Sequence, residues 1–326
     1  MRAAWYSKNG AARDVLVIGE LPTPTPAPGQ VRVKVATSGV NPSDVKSRSG
    51  RALGSERIVP HSDGAGTIDA VGDGVATGRI GERVWIWNGQ WQRPMGTAAE
   101  YIVVPEKQAV TLPESTDFTA AACLGIPAMT AFHAVRLLGD IAGKTVLVIG
   151  ASSAVGHYVA QVAASGGARV IGTVGSPDKA KHALAAGVEA TINYKTESVA
   201  DRVKELTAGN GVHAIVDMDF STTVELLGNG GLAPHGTLVC YGSNVYDNIQ
   251  VPFRSLLWNS FSLRFFLVYD LTPHDRHAVI VGLSRLLADA RLLHAIGPRF
   301  KLEKIAAAHE AVESGKFIGN VIVELT

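Results

Sequence analysis

The sequence has little cysteine and no run of like charge, and each of these absences excludes a class of protein. Only Cys123 and Cys240 occur among the 326 residues. A disulfide framework is therefore excluded, and two small buried hydrophobic residues are the expected state. The 30 basic and 29 acidic side chains leave a formal net charge of +1. The chain therefore has no basic patch of the kind that binds nucleic acid or an acidic membrane surface.

Long apolar stretches are also missing from the sequence. No segment reaches the roughly 18 to 20 apolar residues of a membrane-spanning helix, and the N-terminus has no apolar run suited to a signal peptide. We therefore expect a cytoplasmic protein with neither a nucleic-acid nor a membrane partner. Hydrophobic residues at 46% and charged residues at 18% describe a globular chain with a sizeable interior. Its length suits two domains, one of which could interrupt the other.

The first 118 residues alternate apolar and polar side chains in short runs broken by Pro and Gly. Examples are "VRVKVATSGV", "GERVWIW" and "AAEYIVVP". This pattern predicts an antiparallel β-barrel domain over residues 1–118.

Strands and helices alternate from residue 119 onward, which predicts an α/β domain with a parallel sheet covered by helices on both faces. Residues 119–258 form most of this domain, and 259–326 supply its remaining strand and helix before a last strand returns to the first domain. The stretch "RFFLVYD" at 264–270 is the candidate sixth strand. The predicted helices are 119–139, 154–165, 177–186, 198–207, 222–229 and 274–290.

The segment "VLVIGASSAVG" at 146–156 reads as a buried strand, a tight loop and a helix start. A dinucleotide-binding loop places three small residues there, for the turn, the pyrophosphate contact and the helix packing. Those positions fall on Ala151, Ser153 and Gly156. Backbone amides over the whole loop, which also includes Ser152, Ala154 and Val155, would bind the pyrophosphate at a helix N-terminus. A merely structural turn is the alternative.

The end of the second strand distinguishes NAD from NADP. An NAD site usually carries an acidic residue there that binds the ribose, whereas this chain has Gly175 and Ser176. Lys179 and the Ser176 hydroxyl could hold a 2′-phosphate, so NADPH is the predicted cofactor. Two alternatives remain at this position: Ser176 could simply cap the next helix, and Asp178 could bind a ribose.

Several motifs in this order resemble the quinone oxidoreductase branch of the medium-chain dehydrogenase/reductase superfamily. They are "GVNPSDVKSRSG", "GAGTIDAVGDGV", "LGIPAMTAFHA", "VLVIGASSAVG" and the closing "AAAHEAVESGKFIGNVIVEL". The resemblance implies a GroES-like β-barrel catalytic domain, a Rossmann domain with a doubly wound parallel six-stranded sheet, and a homodimer.

Zinc-dependent alcohol dehydrogenases of the same superfamily provide a chemical test. The positions that match their catalytic zinc ligands are Asn41, Ser62 and Ile126, and such a site needs Cys or His ligands. We therefore expect no metal. Without a Lewis acid, reducing a quinone or the C=C bond of an α,β-unsaturated carbonyl is easier than oxidising an alcohol.

The resemblance also implies particular site residues. Asn41 would lie beside the nicotinamide and the substrate oxygen, although an Asx turn before Pro42 explains it equally well on local grounds. Thr130, Gly242 and Ser243 would lie near the nicotinamide. Tyr194 would lie beside the adenosine 2′-phosphate.

Two further residues are assigned to the substrate pocket. Lys46 stands where related quinone reductases have tyrosine and would make the pocket more polar, or it is an ordinary surface lysine. His61 is a hydrogen-bonded pocket or surface residue rather than a metal ligand, and Asp44 and Asp63 are expected to hold loops. The predicted function is NADPH-dependent reduction of a small quinone or enone. A 2-alkenal or enoyl-thioester reductase, or an NADPH-binding sensor with little turnover, are the alternatives.

Overall fold

The computed structural model describes residues 1–245 and 247–325, and divides into two compact units. Unit 1 is Met1–Pro127 with Ser284–Thr326, and unit 2 is Ala128–Leu283. The sequence-based boundaries were 118/119 and 258/259, with a return of the chain to the first domain. Thr326, the last residue of the predicted third segment, lies outside the described residues.

The strands vary from three to eleven residues in length. In chain order they are β1 Arg2–Trp5, β2 Val17–Glu20, β3 Gln30–Val40, β4 Asp63–Val71, β5 Arg83–Ile86, β6 Tyr101–Pro105, β7 Ala109–Thr111, β8 Thr145–Val148, β9 Arg169–Val174, β10 Ala190–Asn193, β11 Val212–Asp217, β12 Leu232–Cys240, β13 Ser262–Phe265, β14 Ile296–Lys301 and β15 Asn320–Glu324.

The helices range from single turns to the sixteen residues of the longest one. In chain order they are α1 Ala12–Val15, α2 Pro42–Gly50, α3 Phe118–Ala121, α4 Met129–Leu137, α5 Ala154–Ser165, α6 Pro177–Ala185, α7 Val199–Leu206, α8 Phe220–Thr223, α9 Phe253–Trp258, α10 Pro273–Ala288 and α11 Ile305–Ser314.

Unit 1 is built on a mixed sheet in which the long strand β3 pairs with β4, β6 and β15. Most pairs are antiparallel, while β14 and β15 run parallel. Alternate residues of β3, among them Val31, Val33 and Val35, are fully or almost fully buried. This period of two places one face of the strand in the core. The final strand β15 joins this sheet by antiparallel pairing with β3.

Unit 2 contains a parallel sheet of six strands in the order β10-β9-β8-β11-β12-β13 within the described residues. The order reverses beside β8, which is the point where doubly wound folds bind nucleotides at the carboxyl ends of their strands. β8 is buried along its whole length. Strands at the centre of a parallel sheet are covered on both faces. The apolar residues of β8 suit this central position. The predicted Rossmann architecture is confirmed.

Three predicted elements differ from the structure. The helix predicted over 119–139 is interrupted by a π-helical turn at Leu124–Ala128 that contains Pro127, because proline lacks an N–H group to continue the helical ladder. The helix predicted at 222–229 is the single turn α8 followed by a 3₁₀ turn. The sixth strand is Ser262–Phe265, so only the start of the predicted 264–270 is strand.

Candidate active site

The loop between β8 and α5 turns at Gly150, one residue before the predicted position. Gly150 has φ +69°, a left-handed conformation that glycine adopts without strain. Its N–H donates to Thr173 Oγ1 at 2.8 Å, and the Ala151 N–H donates to the Thr173 carbonyl at 3.0 Å. The turn that we assigned to Ala151 is therefore made by Gly150. The glycine stood next to the motif in the sequence and was read as the end of the strand.

Gly156 lets the first turn of α5 pack against this loop. A Cβ atom at Gly156 would lie 2.2 Å from the Gly150 carbonyl oxygen and 3.0 Å from the Ala151 Cα. Ser153 is the N-cap of α5, and its Oγ accepts from the Gly156 N–H at 3.0 Å. The hydroxyl is therefore turned onto its own helix. Of the other loop residues, Ser152 is buried, while Ala154 and Val155 are half-buried.

Tyr241 is a residue of this region that sequence reasoning missed. It follows β12, and a side-chain hydrogen bond links it to Ser153. Burial and the nearby Asp217 carboxyl raise the pKa of the Tyr241 phenol, so it stays protonated at neutral pH. The pairing joins the end of β12 to the cap of α5, and the two lie too far apart in the sequence for a local pattern to reveal it.

Gly175, Ser176 and Tyr194 meet at the carboxyl end of β9. A Cβ atom at Gly175 would lie 2.8 Å from the Tyr194 hydroxyl oxygen, so the glycine makes room for the tyrosine. Ser176 is the N-cap of α6, and its Oγ accepts from the Lys179 N–H at 3.3 Å. Lys179 is half-buried in the first turn of the helix. The sequence assigned Ser176, Lys179 and Tyr194 to the same 2′-phosphate, and the structure brings Gly175, Ser176 and Tyr194 to one strand end.

Two buried hydroxyl groups of unit 2 have no hydrogen-bond partner within the described residues. They are Thr130 Oγ1 on α4 and Ser243 Oγ in the segment after β12. Ser243 lies between Gly242, where a Cβ atom would be 2.8 Å from the Met218 carbonyl oxygen, and Asn244. Asp219 holds this segment, because its two carboxylate oxygens accept from the Asn244 N–H at 2.8 Å and from Asn244 Nδ2 at 2.6 Å. Sequence reasoning missed Asp219.

Asn41 begins α2 and lies in a buried polar cluster of unit 1. Its backbone N–H donates to Asp44 Oδ2 at 2.7 Å, and its side-chain Nδ2 donates to Asp63 Oδ2 at 2.8 Å. The side chain also forms a hydrogen bond with Asp44. Asn41 and Asp44 are each 4% exposed, and Asp63 is fully buried. Both carboxyl groups therefore hold the Asn41 amide in place. Asn41 is also the N-cap of α2, in a capping box with Asp44, where the sequence had offered an Asx turn before Pro42.

Burial controls the charge of these carboxyl groups. Burial raises the pKa of Asp44 to about 7, although hydrogen bonds from Asn41 and Ser62 act in the opposite direction. Burial also raises the pKa of Asp63 well above its usual range, and the neighbouring Asp44 adds to that shift. Lys46 lies on the same helix and is exposed. The Asn41 amide thus contacts two carboxyl groups whose pKa values are raised by burial.

A chain of buried side chains runs from His309 on α11 to the backbone of Asp63, and we call it the His309 array. His309 Nε2 lies 2.9 Å from His61 Nε2, and His61 Nδ1 lies 2.8 Å from Ser38 Oγ. Ser38 Oγ lies 2.7 Å from Thr97 Oγ1, which donates to the Asp63 carbonyl oxygen. The four side chains are fully buried.

The direction of each hydrogen bond in the His309 array follows from counting protons. Thr97 donates its single hydroxyl proton to the Asp63 carbonyl oxygen, which can only accept. Thr97 therefore has no proton left for Ser38, so Ser38 must donate to Thr97. His61 Nδ1 must then donate to Ser38, which leaves His61 Nε2 as the acceptor for His309 Nε2–H. His61, which donates through Nδ1 and accepts at Nε2, is therefore neutral, and burial lowers its pKa well below the usual range. Burial also lowers the pKa of His309 to about 3, so this histidine is neutral as well.

The His309 array supports an unusual backbone conformation. His61 has φ +77°, which is strained for a residue with a side chain. Because the array binds both nitrogens of its ring and the carbonyl group of Asp63, it fixes the segment that carries the Asp63 carboxyl to Asn41. The His61 ring is fully buried. The substrate-pocket role that the sequence suggested for His61 stays a prediction.

Asn41, Ser62 and Ile126, which we matched from the sequence to the zinc ligands of related dehydrogenases, include neither Cys nor His. Over residues 1–245 and 247–325, no group of three or more His, Cys, Asp or Glu side chains is arranged to hold a metal ion. Both cysteines are buried thiols. Burial raises the pKa of Cys123 well above its usual range and that of Cys240 to about 12, so neither is a reactive thiolate.

Comparison with known proteins identifies the class of both units. Residues 27–114 match the model of the alcohol dehydrogenase GroES-like domain, and residues 154–285 match that of the zinc-binding dehydrogenase family. The chain belongs to the quinone oxidoreductase branch of the medium-chain dehydrogenase/reductase superfamily, as its motifs indicated. It is an oxidoreductase.

Individual relatives span the whole chain. Rat quinone oxidoreductase is 32% identical over 100% of this chain and 98% of its own length. A 2-haloacrylate reductase from a Burkholderia species is 29% identical over 99% of this chain and 98% of its own length. Among solved structures, a mycobacterial protein in complex with NADPH is 28% identical with a TM-score of 0.88, covering all of both chains. Escherichia coli quinone oxidoreductase in complex with NADPH is 25% identical with a TM-score of 0.89, also with full coverage.

None of the described helices combines the length and the apolar character that crossing a bilayer requires.

Proposed function

We propose that this protein uses NADPH to reduce quinones or the C=C bond of α,β-unsaturated carbonyl compounds, without zinc. The observation that carries the proposal is the end of β9, where Gly175 and Ser176 replace the acidic residue of an NAD site and Tyr194 adjoins the glycine. The NADPH bound in the two solved relatives supports the same cofactor.

The residues of unit 2 fit NADPH in three places. The first turn of α5 presents backbone N–H groups beside a turn that only Gly150 and Gly156 allow, as a pyrophosphate site requires. Lys179 and Ser176 would hold the 2′-phosphate beside Tyr194. The unpartnered hydroxyls of Thr130 and Ser243 would hydrogen-bond the nicotinamide end, because buried polar groups normally have a partner.

The chemistry proposed for unit 1 centres on Asn41. NADPH, when bound, supplies the hydride, and negative charge then develops on the substrate oxygen. An amide donor stabilises such charge, and Asn41 is the residue we assign to that contact. Asp44 and Asp63 position the amide. Burial raises the pKa of both carboxyl groups, that of Asp44 to about 7, so less negative charge opposes the developing oxyanion than two ordinary carboxylates would bring. A protonated Asp44 is also a weaker hydrogen-bond acceptor than a carboxylate, so it competes less strongly with the substrate oxygen for the N–H groups of Asn41.

The substrate class rests on the relatives. Quinone oxidoreductases are similar to this chain over its whole length, and the similar 2-haloacrylate reductase is named for a conjugated substrate. Both kinds of compound accept a hydride at carbon and place charge on oxygen. A 2-alkenal or enoyl-thioester reductase remains the second candidate, because it would use the same step on a conjugated carbonyl.

A substrate panel assayed with both cofactors tests the proposal. We expect the oxidation of NADPH to be faster than that of NADH with quinones such as 1,4-benzoquinone or with enones such as 2-cyclohexenone. Fast turnover of 2-alkenals or enoyl thioesters alone would favour the second candidate. Tight NADPH binding without turnover of any compound would instead show a binding protein of the sensor type and overturn the reductase assignment.

Metal analysis of the purified protein tests the zinc-free mechanism separately. Because Asn41, Ser62 and Ile126 do not form a zinc-ligand set, we expect less than one tenth of an equivalent of zinc per chain by plasma mass spectrometry. Activity should also survive dialysis against a chelator. One equivalent of zinc, lost together with activity, would contradict the mechanism.

We also propose that the protein is a homodimer. β13 is the last strand of the sheet in unit 2, and an edge strand presents unpaired backbone groups. Apolar side chains around it are exposed, which is unusual for a monomer. They are Phe253 (69% exposed), Leu257 (58%), Trp258 (72%), Phe265 (59%) and Leu267 (50%). A second copy of the chain paired along β13 would cover both the edge and this face, which we call the β13 face.

A further inference from the structure

Met218 lies at the point where the sheet of unit 2 reverses its strand order. The order β9-β8-β11-β12 places β8 and β11 side by side. Their carboxyl ends border the crevice in which doubly wound folds bind nucleotides. β11 ends at Asp217, so Met218 is the first residue beyond it. Met218 therefore belongs to the same crevice as the loop between β8 and α5.

Two contacts place Met218 between the parts of the proposed NADPH site. Its Sδ lies 2.4 Å from the position that a Cβ atom would take on Gly150, and Ser153 Oγ lies 3.7 Å from that same position. The Met218 carbonyl oxygen lies 2.8 Å from the position of a Cβ atom on Gly242. The thioether thus packs on the turn proposed for the pyrophosphate, while the backbone packs on the segment proposed for the nicotinamide.

Met218 also differs from the other three methionines of the sequence in its exposure. It is 39% exposed, whereas Met129 is fully buried. Met1 and Met95 are half-buried against an apolar cluster of unit 1. A thioether is oxidised to a sulfoxide by peroxides that reach its sulfur atom. Met218 is therefore the methionine that we expect an oxidant in solution to reach first.

We propose that Met218 is a modification site at which oxidation by a peroxide weakens the binding of NADPH. The inference rests on the proposed function, because it requires the cofactor to bind in this crevice. The sulfur atom gives an electron pair to one oxygen of hydrogen peroxide, so an S–O bond forms and the O–O bond breaks. The proton of the transferred oxygen passes to the departing one, which leaves as water. The sulfur is oxidised by two electrons and the peroxide is reduced by two.

The sulfoxide changes the surface of the crevice in shape and in polarity. The sulfur atom already packs against Gly150, so an added oxygen must displace the side chain or project over the turn. That oxygen makes an apolar side chain polar, and its partial negative charge opposes the phosphate groups that the α5 amides would bind. Both changes disfavour NADPH. Because methionine sulfoxide reductases restore the thioether, the loss of binding is reversible.

Treatment with hydrogen peroxide, followed by its removal and by NADPH calorimetry, tests the inference. Peptide mass spectrometry should locate the first added oxygen on Met218. We expect the dissociation constant for NADPH to rise about tenfold, because a polar group buried beneath the cofactor lacks its solvent partners. Methionine sulfoxide reductases should reverse the rise. Saturating NADP⁺ during the treatment should slow the oxidation of Met218 by about threefold or more, because a bound ligand covers the sulfur in proportion to its occupancy.

Met218→Leu is the decisive variant, because leucine has a similar volume and no sulfur. Its own affinity for NADPH should be the same before and after peroxide, whereas Met95→Leu should remain as sensitive as the unchanged protein. An unaltered affinity in protein shown to carry Met218 sulfoxide would overturn the inference, as would an equal loss of affinity in peroxide-treated Met218→Leu. If the untreated protein does not bind NADPH at all, the proposed function fails and this inference fails with it.

Discussion

Single residues at the end of β9 decide how the proposed site distinguishes its cofactor. Gly175 leaves space for the Tyr194 hydroxyl, and Ser176 caps α6 at its first turn, where Lys179 is half-buried. No carboxylate stands at the strand end itself. We therefore propose that a phosphate binds at a position where NAD sites usually bind a ribose hydroxyl.

Replacing Lys179 tests this assignment. Lys179→Ala should raise the dissociation constant for NADPH by about tenfold or more and leave that for NADH within about twofold, because a charge-assisted hydrogen bond to phosphate is lost. Lys181→Ala, an exposed lysine of the same helix, is the matched control and should change neither. Fluorescence titration measures both constants. Equal losses for NADPH and NADH would remove Lys179 from the 2′-phosphate site.

The buried Asp44 carboxyl predicts a dependence of stability on pH. Its folded-state pKa of about 7 exceeds the unfolded value, so its contribution to stability is present at low pH and is lost as the pH rises through about 7. We expect the thermal midpoint to fall between pH 6 and pH 8.5, and to fall less in Asp44→Asn, which has no charge to bury. Asp73→Asn, at an exposed position, should fall as the unchanged protein does. A decline of equal size in Asp44→Asn would contradict the assignment.

The sequence identified many of these residues, but not the partners that define their roles. Local patterns were sufficient for the cap at Ser176 and for the close packing at Gly156, whereas the cap at Ser153 was not predicted. They could not show that Asn41 binds two buried carboxyls, because Asp63 is 22 residues away. The turn was placed at Ala151 because the spacing of the dinucleotide-binding motif puts its first small residue there. In the structure the backbone has a left-handed φ at Gly150 instead.

Whole elements followed from the sequence where periodicity was strong. α5 has the predicted bounds 154–165, and α6 ends one residue before the predicted 186. Shorter elements were predicted wrongly. A four-residue turn such as α8 is too short to show a helical periodicity in the sequence. The contact between α11 and the segment 61–63 was not predictable, because its hydrogen bond joins residues 248 positions apart.

The His309 array gives α11 a role that can be measured. His309→Phe keeps the ring but removes the donor to His61, and an unsatisfied buried acceptor costs roughly 1–3 kcal/mol. We expect stability to fall by about that amount, and kcat to fall because the segment that positions Asn41 loosens. NADPH affinity should not change, since the residues proposed to bind NADPH belong to unit 2.

His309→Gln is the matched comparison for this prediction. Its amide N–H can still donate toward His61, so it should recover part of the lost stability and activity. Chemical denaturation and steady-state kinetics give the two measurements. If the Phe and Gln variants behave alike, the hydrogen bond is not what α11 contributes.

At the scale of the whole molecule, the proposed dimer depends on the β13 face. Trp258 is its most exposed member at 72%, and replacing it with a charge opposes burial against a second copy. Trp258→Glu should convert a dimer to a monomer in light scattering at micromolar concentration. Leu184→Glu, another exposed apolar residue of unit 2 (46%) that lies on α6, should leave the dimer intact. A dimer that persists in Trp258→Glu would place the interface elsewhere.

The position of β15 has a consequence for synthesis on the ribosome. This strand lies between β14 and β3, so the sheet of unit 1 joins residues made near the start of translation to residues 320–324. Unit 2 is one continuous segment and can fold as soon as residue 283 has emerged. We expect nascent chains arrested before β15 to carry a protease-resistant unit 2 while strand β3 still lacks its β15 partner. Synthesis of unit 1 thus begins before that of unit 2, but unit 2 is completed first.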